Sequence, residues 1–397
     1  MDASELIAQA RSLQDGVVTL RRELHRSPEI GNYLPATRAI VEAALEDLPL
    51  DLHRHDRTSG IVAVLRGDKD GPATLLRGDM DALRMPEDTG LEFASENTGV
   101  MHACGHDLHT AMLVGAARLL TERRAELPGP VVLMFQPGEE GHHGARIMLE
   151  EGLLDVVSPL PARAFAIHVS TSFASGAIHV RPGPQMASSD EVRITIEGSG
   201  GHASAPHRAI DPVPVAAELI MAVQTAVTRE FNALDPGVVT FGHVSAGTTH
   251  NVIPETAYLE GTVRALSAET RSRLHEMLRR VARHVPAAHG ASASVEFKEG
   301  YPVTVNDADV TELVTTVAED VLGAAAVHHM VHPIMGSEDW SYVLEQVPGA
   351  MAFLGACMPD QDPESAPSNH SNLVVFDEEA MVPGVAMYAA MALAPLA

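Results

Sequence analysis

The stretch Glu191-Val-Arg-Ile-Thr-Ile-Glu197 alternates polar and apolar side chains, the two-residue period of a half-buried strand. The segments after it decide the fold. Pro212–Arg229 reads as a helix, Val238–Val244 and Ala257–Ala265 as strands, Ala268–His284 as a second helix and Ala293–Phe297 as a strand. That order, β-α-β-β-α-β, is the signature of a ferredoxin-like α+β unit. Outside it the pattern changes. Strand-like Ile61–Arg66, Ala73–Arg77, Val131–Phe135, Arg163–Ile167 and Met351–Gly355 are interspersed with helical segments such as Leu108–Leu120. Such alternation predicts an α/β sandwich around a largely parallel sheet. The expected architecture is therefore α/β with two domains. Residues 1–185 and 301–397 form one discontinuous domain, and residues 186–300 form a second inserted into it. A chain of 397 residues suits two domains better than one.

The 53 acidic and 27 basic side chains leave a formal charge of −26, which repels phosphate backbones and anionic lipid. Nucleic acid and membranes are excluded as partners on that ground. Only Lys69 and Lys298 are lysines, both in polar, turn-like surroundings, so chemistry built on a catalytic or carboxylated lysine is set aside. Met1 to Gly16 mixes charged and apolar residues and reads as an amphipathic helix, not a signal peptide. The uncharged tail Ala380–Ala397 contains Pro383, Gly384 and Pro395 and reads as a packed terminal helix. Two cysteines make no disulfide framework, and the expected compartment is the cytoplasm.

Chemistry-bearing residues cluster just after strand-like runs or at a helix opening, where ligands gather in open α/β sheets. Arg77-Gly-Asp-Met-Asp-Ala-Leu83 places Asp79 and Asp81 two residues apart. In Met101-His-Ala-Cys-Gly-His-Asp-Leu-His109, Cys104 and His106 flank a glycine that lets both reach one ion. Thiolate and imidazole suit zinc and similar borderline metals. His102 and His109 are rival ligands that spacing alone does not dismiss, and a Cys104/His nucleophilic pair competes with a metal centre. Phe135-Gln-Pro-Gly-Glu-Glu-Gly141 sets two carboxylates after a buried strand. One can bind metal while the other takes a proton from water. His168 stands at a strand end, and His370 lies in Ser368-Asn-His-Ser-Asn372. In the inserted region, Gly198-Ser-Gly-Gly-His202-Ala-Ser-Ala-Pro-His207 is a glycine-rich turn whose His202 or His207 could donate to a developing oxyanion.

In order along the chain, RGDMDAL, MHACGHDLHTAML, FQPGEEG, AIHV, GGHASAPH, HNVIPETAYLEGTVR, GSEDWSY and SNHS resemble the motifs of peptidase family M20, the aminoacylase and carboxypeptidase family of two-metal peptidases. They most resemble its amidohydrolase branch, which includes hippurate and N-acyl-L-amino acid amidohydrolases. The resemblance implies an α/β metallopeptidase domain carrying an inserted dimerisation or lid domain. It implies Cys104, His106, Glu140, His168 and His370 as ligands of two divalent ions (Zn, Mn, Co or Ni). Glu139 would be the general base, Asp81 an orienting carboxylate and His202 the imidazole that polarises the scissile carbonyl. Asn251 and Arg264 would hold the substrate carboxylate or the oxyanion. The chain departs from the wider family at Asp79, where many relatives have a metal-binding His, and at Cys104, where they have a bridging Asp; both are normal for the amidohydrolase branch.

The expected reaction is hydrolysis of the amide bond of an N-acyl amino acid by a metal-activated water, with Glu139 removing and returning the proton. The expected assembly is a homodimer or homotetramer, with His202 supplied by the partner chain. A dipeptidase or carboxypeptidase on the same metals is the nearest alternative. A non-catalytic binding protein would be expected to have lost Glu139 or a ligand.

Overall fold

The computed structural model of the chain describes residues 3–395. Its contacts divide it into two compact units. One comprises Met1–Gln185, Val305–His332 and Asp339–Ala397, and the other Met186–Thr304 and Pro333–Glu338. Two short strands, β7 (Gly183–Met186) and β14 (Thr304–Asn306), lie where the chain passes between them.

In the first unit, eight strands numbered in chain order form one sheet. They are β1 (Leu50–Arg54), β2 (Ile61–Leu65), β3 (Thr74–Asp79), β4 (Val131–Gln136), β5 (Arg163–Ala174), β6 (Ile178–Val180), β15 (Val327–His329) and β16 (Gly349–Cys357). The sheet order is β1-β2-β4-β3-β5-β16-β6-β15. The α/β class holds, and four of the seven strand pairings are parallel, with antiparallel pairings among the rest. β4, β3, β5 and β16 run parallel, as does β6 with β15. β1–β2, β2–β4 and β16–β6 are antiparallel. The links behind those reversals, residues 55–60, 66–73 and 175–177, are too short for a crossover helix.

Helices α1 (Ala3–Ser12), α2 (Gln14–Arg26), α3 (Pro35–Leu45), α4 (His106–Glu122), α8 (Ala308–Leu322) and α10 (Met381–Leu393) share a buried core with the sheet, and α5 (Gly144–Glu150) and α9 (Ser341–Leu344) are short. The N-terminal helix is broken near Ser12, whose hydroxyl donates to the Gln9 carbonyl and competes with the helical ladder; Met1 and Asp2 lie outside the described residues. The uncharged tail is helix α10, packed as its prolines and glycine suggested. Its Tyr388 hydroxyl donates to the Arg77 carbonyl at 2.7 Å and accepts from the Ile167 N–H at 3.2 Å. Among the described residues no helix is long and apolar enough to cross a membrane.

The second unit contains β8 (Ser188–Glu197), β9 (Gly201–His202), α6 (Pro212–Glu230), β10 (Gly237–Ala246), β11 (Val252–Ile253), β12 (Thr256–Ala265), α7 (Ala268–Ala288) and β13 (Ser292–Glu299). β10-β12-β8-β13 form an antiparallel sheet, the ferredoxin-like order. The alternation seen in the sequence has its cause here. Val192, Ile194 and Ile196 point into a core shared with Leu219 and Val223 of α6 and Leu274 and Leu278 of α7. Asp190, at the start of β8, accepts from Arg271 Nε and Nη2, His275 Nε2 and the Gly300 N–H at 2.6–3.0 Å. Burial pushes its carboxyl pKa up, but the bonds from Arg271 and His275 outweigh that and hold it well below the usual range. Outside the sheet, β9 and β11 pair antiparallel, with His202 opposite Val252, as a small ribbon.

Candidate metal centre and the His202 ribbon

Cys104 and His106 sit where the chain turns into α4. The turn requires Gly105 at φ +88°; a Cβ there would come within 2.3 Å of Val169 Cγ2. His168 was expected at a strand end. It lies instead within β5, which continues to Ala174: β16 pairs with it from Ala164 to Ser170 and, after a register shift, again at Ala174. Glu139 and Glu140 follow β4 in a tight turn whose two N–H groups donate to Asp81, to Oδ1 from Glu139 and to Oδ2 from Glu140, each at 3.0 Å. His370 has a left-handed backbone, φ 68°, and its N–H donates to the Ala103 carbonyl. A non-glycine residue in that region is strained and persists only where its surroundings hold it.

These segments bring five side chains together around one sulfur. Cys104 Sγ lies 3.4 Å from His168 Nε2 and 3.3 Å from His370 Nε2. One donor each from Cys104, His106 and His168 falls within 4.8 Å of the others, and the same holds for Cys104, Glu140 and His370. Cys104 is common to both triads. Donors of His106, Glu139 and Glu140 also lie within that distance of one another. The imidazoles are aimed by backbone carbonyls: His106 Nδ1 donates to Asp81 O and His168 Nδ1 to Val169 O, both at 2.8 Å. That leaves each Nε2 lone pair for the cluster, the tautomer a metal-binding imidazole needs.

The electrostatics agree with a site built for cations. Burial and the Glu140 charge push the Cys104 thiol pKa up, but His168 and His106 beside it outweigh them and bring it down to about 6. His370 is raised to about 10 by its bonds to Cys104 and Glu140. Buried His106 Nε2 has no hydrogen-bond partner, and such buried polar atoms ordinarily do. A thiolate, a carboxylate and three converging imidazole nitrogens fit two borderline divalent ions.

The structure also separates rivals that spacing left open. His109 donates from Nδ1 to Asp79 Oδ1 at 2.5 Å and accepts the Val169 N–H on Nε2 at 2.8 Å, so neither nitrogen is free for an ion. β3 ends at Asp79, yet Asp79 and Asp81 both reach His106, Asp79 Oδ2 lying 3.4 Å from Nε2 and Asp81 Oδ1 3.4 Å from Nδ1. Asp79 pairs with Arg77 Nη1 at 2.7 Å, fully buried. His102 stands beside His25, outside both triads.

Several contributors left little mark in the sequence. Asn369 Nδ2 donates to the carbonyls of Cys104 at 3.1 Å and Val169 at 2.9 Å, stitching the His370 loop to two other ligand segments. Asp107 anchors the first turn of α4, with Oδ2 2.7 Å from Arg21 Nε and 2.8 Å from His25 Nδ1. An Asn beside a His and an Asp in a helix's first turn were the only signals, and both are common.

In the second unit the ribbon brings His202 and Asn251 together: the Ala203 N–H donates to the Asn251 carbonyl at 3.1 Å. His207 lies in a short 3₁₀ turn beyond the ribbon. Arg264 is on β12, opposite Ser189 of β8 and Val238 of β10, and its Nε donates to Thr262 Oγ1.

Residues 75–394 match the model of peptidase family M20/M25/M40, and the chain belongs to that family. It is 37% identical to the N-acetyl-L-cysteine deacetylase of Bacillus subtilis, over 87% of this chain and 81% of that one. It is also 37% identical to the IAA-amino acid hydrolase ILR1-like 4 of Arabidopsis thaliana, over 97% and 87%. Among solved structures, the Bacillus subtilis YxeP protein, a dinuclear metal-binding peptidase of the M20 family, superposes with a TM-score of 0.81 at 34% identity, covering 96% and 98%.

Proposed function

We propose that the protein is a two-metal amidohydrolase that cleaves N-acyl amino acids. The observation that carries this reading is Cys104 Sγ set between two ligand triads, with the Glu139 backbone pinned beside them by Asp81. The names of the deacetylase and amino acid hydrolase relatives supply the substrate class.

Cys104, His106 and His168 would hold one ion, and Cys104, Glu140 and His370 the other. Bound there, two divalent ions supply Lewis acidity that brings the pKa of a water toward neutrality and polarises a carbonyl. Glu139 takes the proton of the attacking water and returns it to the departing amine. Asp81 occupies both its oxygens with the N–H groups of Glu139 and Glu140, so its work is to fix their direction, not to move protons. His202 donates to the oxyanion that forms, and Asn251 and Arg264 hold the substrate carboxylate. His202 of the partner subunit serves each site in a homodimer or homotetramer. The unit Met1–Gln185, Val305–His332 and Asp339–Ala397 is the catalytic domain in this reading, and the other is the dimerisation or lid domain. The cytoplasm is its compartment, in keeping with two free, buried cysteines.

A turnover screen tests the reading, with acetyl-, benzoyl- and longer acyl-amino acids beside free dipeptides, in protein loaded with Zn, Mn, Co or Ni. Hydrolysis of the N-acyl substrates is expected. Preferential cleavage of dipeptides would assign the same machinery to a dipeptidase. Metal-loaded protein inert towards every substrate would overturn the reading.

A further inference from the structure

The ribbon of the second unit has a polarity that its sequence does not announce. His202 Nδ1 accepts from the Ser204 N–H at 3.1 Å and lies 2.8 Å from the Ser204 hydroxyl. A nitrogen that accepts from a backbone N–H carries no proton of its own, so the neutral ring must bear its hydrogen on Nε2. The turn responsible is local: the Ala205 N–H donates to the His202 carbonyl, which folds Ser204 back onto the ring. On the facing arm, the Thr249 hydroxyl donates to Asn251 Oδ1 at 3.2 Å, which turns the Asn251 amide so that Nδ2–H₂ remains on offer. Both arms follow one rule. Each polar side chain has its acceptor engaged by a hydroxyl two residues away and keeps its N–H groups for something else.

We infer that Ser204 and Thr249 are positioning residues that make this ribbon a donor-only receiver for anionic oxygen, with His202 Nε2–H and Asn251 Nδ2–H₂ as its two donors. The inference rests on the proposed amidohydrolase reading for what the anions are: the oxyanion at His202 and the substrate carboxylate at Asn251. All four side chains are exposed, so water would replace either hydroxyl bond at little cost in stability. What the bonds fix is direction. An imidazole free to exchange tautomers, or an amide free to flip, presents a lone pair to an anion part of the time and repels it. Pre-set donors cost no reorganisation when charge develops.

The test uses the full-length, metal-loaded protein and N-acetyl-L-methionine as the first probe, with long-range proton–nitrogen NMR reading the His202 tautomer, assigned against His202→Ala. The wild type should show Nε2 protonated and Nδ1 bare. Ser204→Ala, which keeps the N–H bond to Nδ1 and removes only the hydroxyl, should leave Nε2 protonated but loosen the ring and lower kcat about fivefold, the worth of one ordinary hydrogen bond, with KM and metal content unchanged. Ser204→Thr should restore kcat. Thr249→Val should act on the other arm, raising KM about fivefold with kcat retained, and Thr249→Ser should restore it. A proton on Nδ1 in the wild type would overturn the inference, and so would a kcat unmoved by Ser204→Ala. An unmoved KM in Thr249→Val would remove the Asn251 half. The underlying reading fails in a different way: His202→Ala would then keep full turnover while the wild-type tautomer was still as described.

Discussion

The metal centre and the ribbon are assembled on opposite principles. Around Cys104 the decisive contacts join residues far apart in the chain, His370 to Cys104 and Asn369 to Cys104 and Val169, and most of the side chains are buried. In the ribbon the contacts that set direction span two residues, His202 to Ser204 and Asn251 to Thr249, and the side chains are exposed. The buried cluster holds its geometry through the folded core and cannot form without it. In the ribbon the fold pairs the two arms, His202 opposite Val252, while the direction of each side chain is set by its own turn.

The comparison breaks most visibly on metal removal. Chelation should abolish turnover, a divalent ion should restore it, and the fold of the ribbon unit, followed by its own NMR signals, should be indifferent to both. Full activity in protein shown metal-free by elemental analysis would end the two-metal reading. Next in size is the glutamate pair. Glu139→Gln should lower kcat by about 10²–10⁴ with both ions retained, whereas Glu140→Gln should lose metal. Metal loss in the first variant and not in the second would reverse the two roles.

His202→Ala should cost about 10²–10³ in kcat with metal content intact. Mixing it with Glu139→Gln under verified subunit exchange should regain activity, because some mixed sites then hold both residues. No recovery would mean that His202 serves its own chain. Smaller again, Asn369→Ala should weaken metal affinity about 10–100-fold through the ligand loops it ties together; isothermal titration reads this, and an unchanged affinity would leave Asn369 structural.

The smallest expected effect tests the second unit away from the ribbon. A carboxylate whose folded pKa is depressed contributes stability that is complete above its unfolded value, about 3.9, and is lost as pH falls towards the folded one. Asp190 is such a group. Asp190→Asn should lower the stability of its unit by about 3 kcal/mol at neutral pH, since Arg271 loses its partner, and the difference from wild type should shrink below about pH 4. Denaturant unfolding across pH measures it. A difference that stays constant down to pH 2 would contradict the assignment.

What the sequence disclosed obeys the same division. The alternation of Val192, Ile194 and Ile196 and the β-α-β-β-α-β order were readable because each depends on near neighbours. The residues that converge on Cys104 were readable as chemistry, through their types and motifs. The long course of β5 beyond His168 was not. Ser170-Thr-Ser-Phe-Ala174 has no apolar alternation, and its strand form comes from pairing with β16, most of two hundred residues later. Asn369 was illegible as a support because it acts on backbone atoms of distant segments, which leave no trace in side-chain type. The antiparallel flanks of the sheet were foreshadowed only by short links, which the strand-and-helix pattern does not weigh.

The place of β16 also bears on how the molecule comes into being. A ribosome delivers the ferredoxin-like body of the second unit in one run, complete by Glu299, and it can close at once. The larger sheet cannot. Its central strand β5 emerges early, yet the strand that covers its free edge is made only after the whole insertion and the segment up to Gly349 have been synthesised. At about 5–20 residues per second that interval is roughly 10–40 s. Throughout it the nascent chain carries an open, apolar strand edge of the kind that templates aggregation. Helix α10, made later still, then seals the same core, so the larger unit matures only after Leu393 has been synthesised.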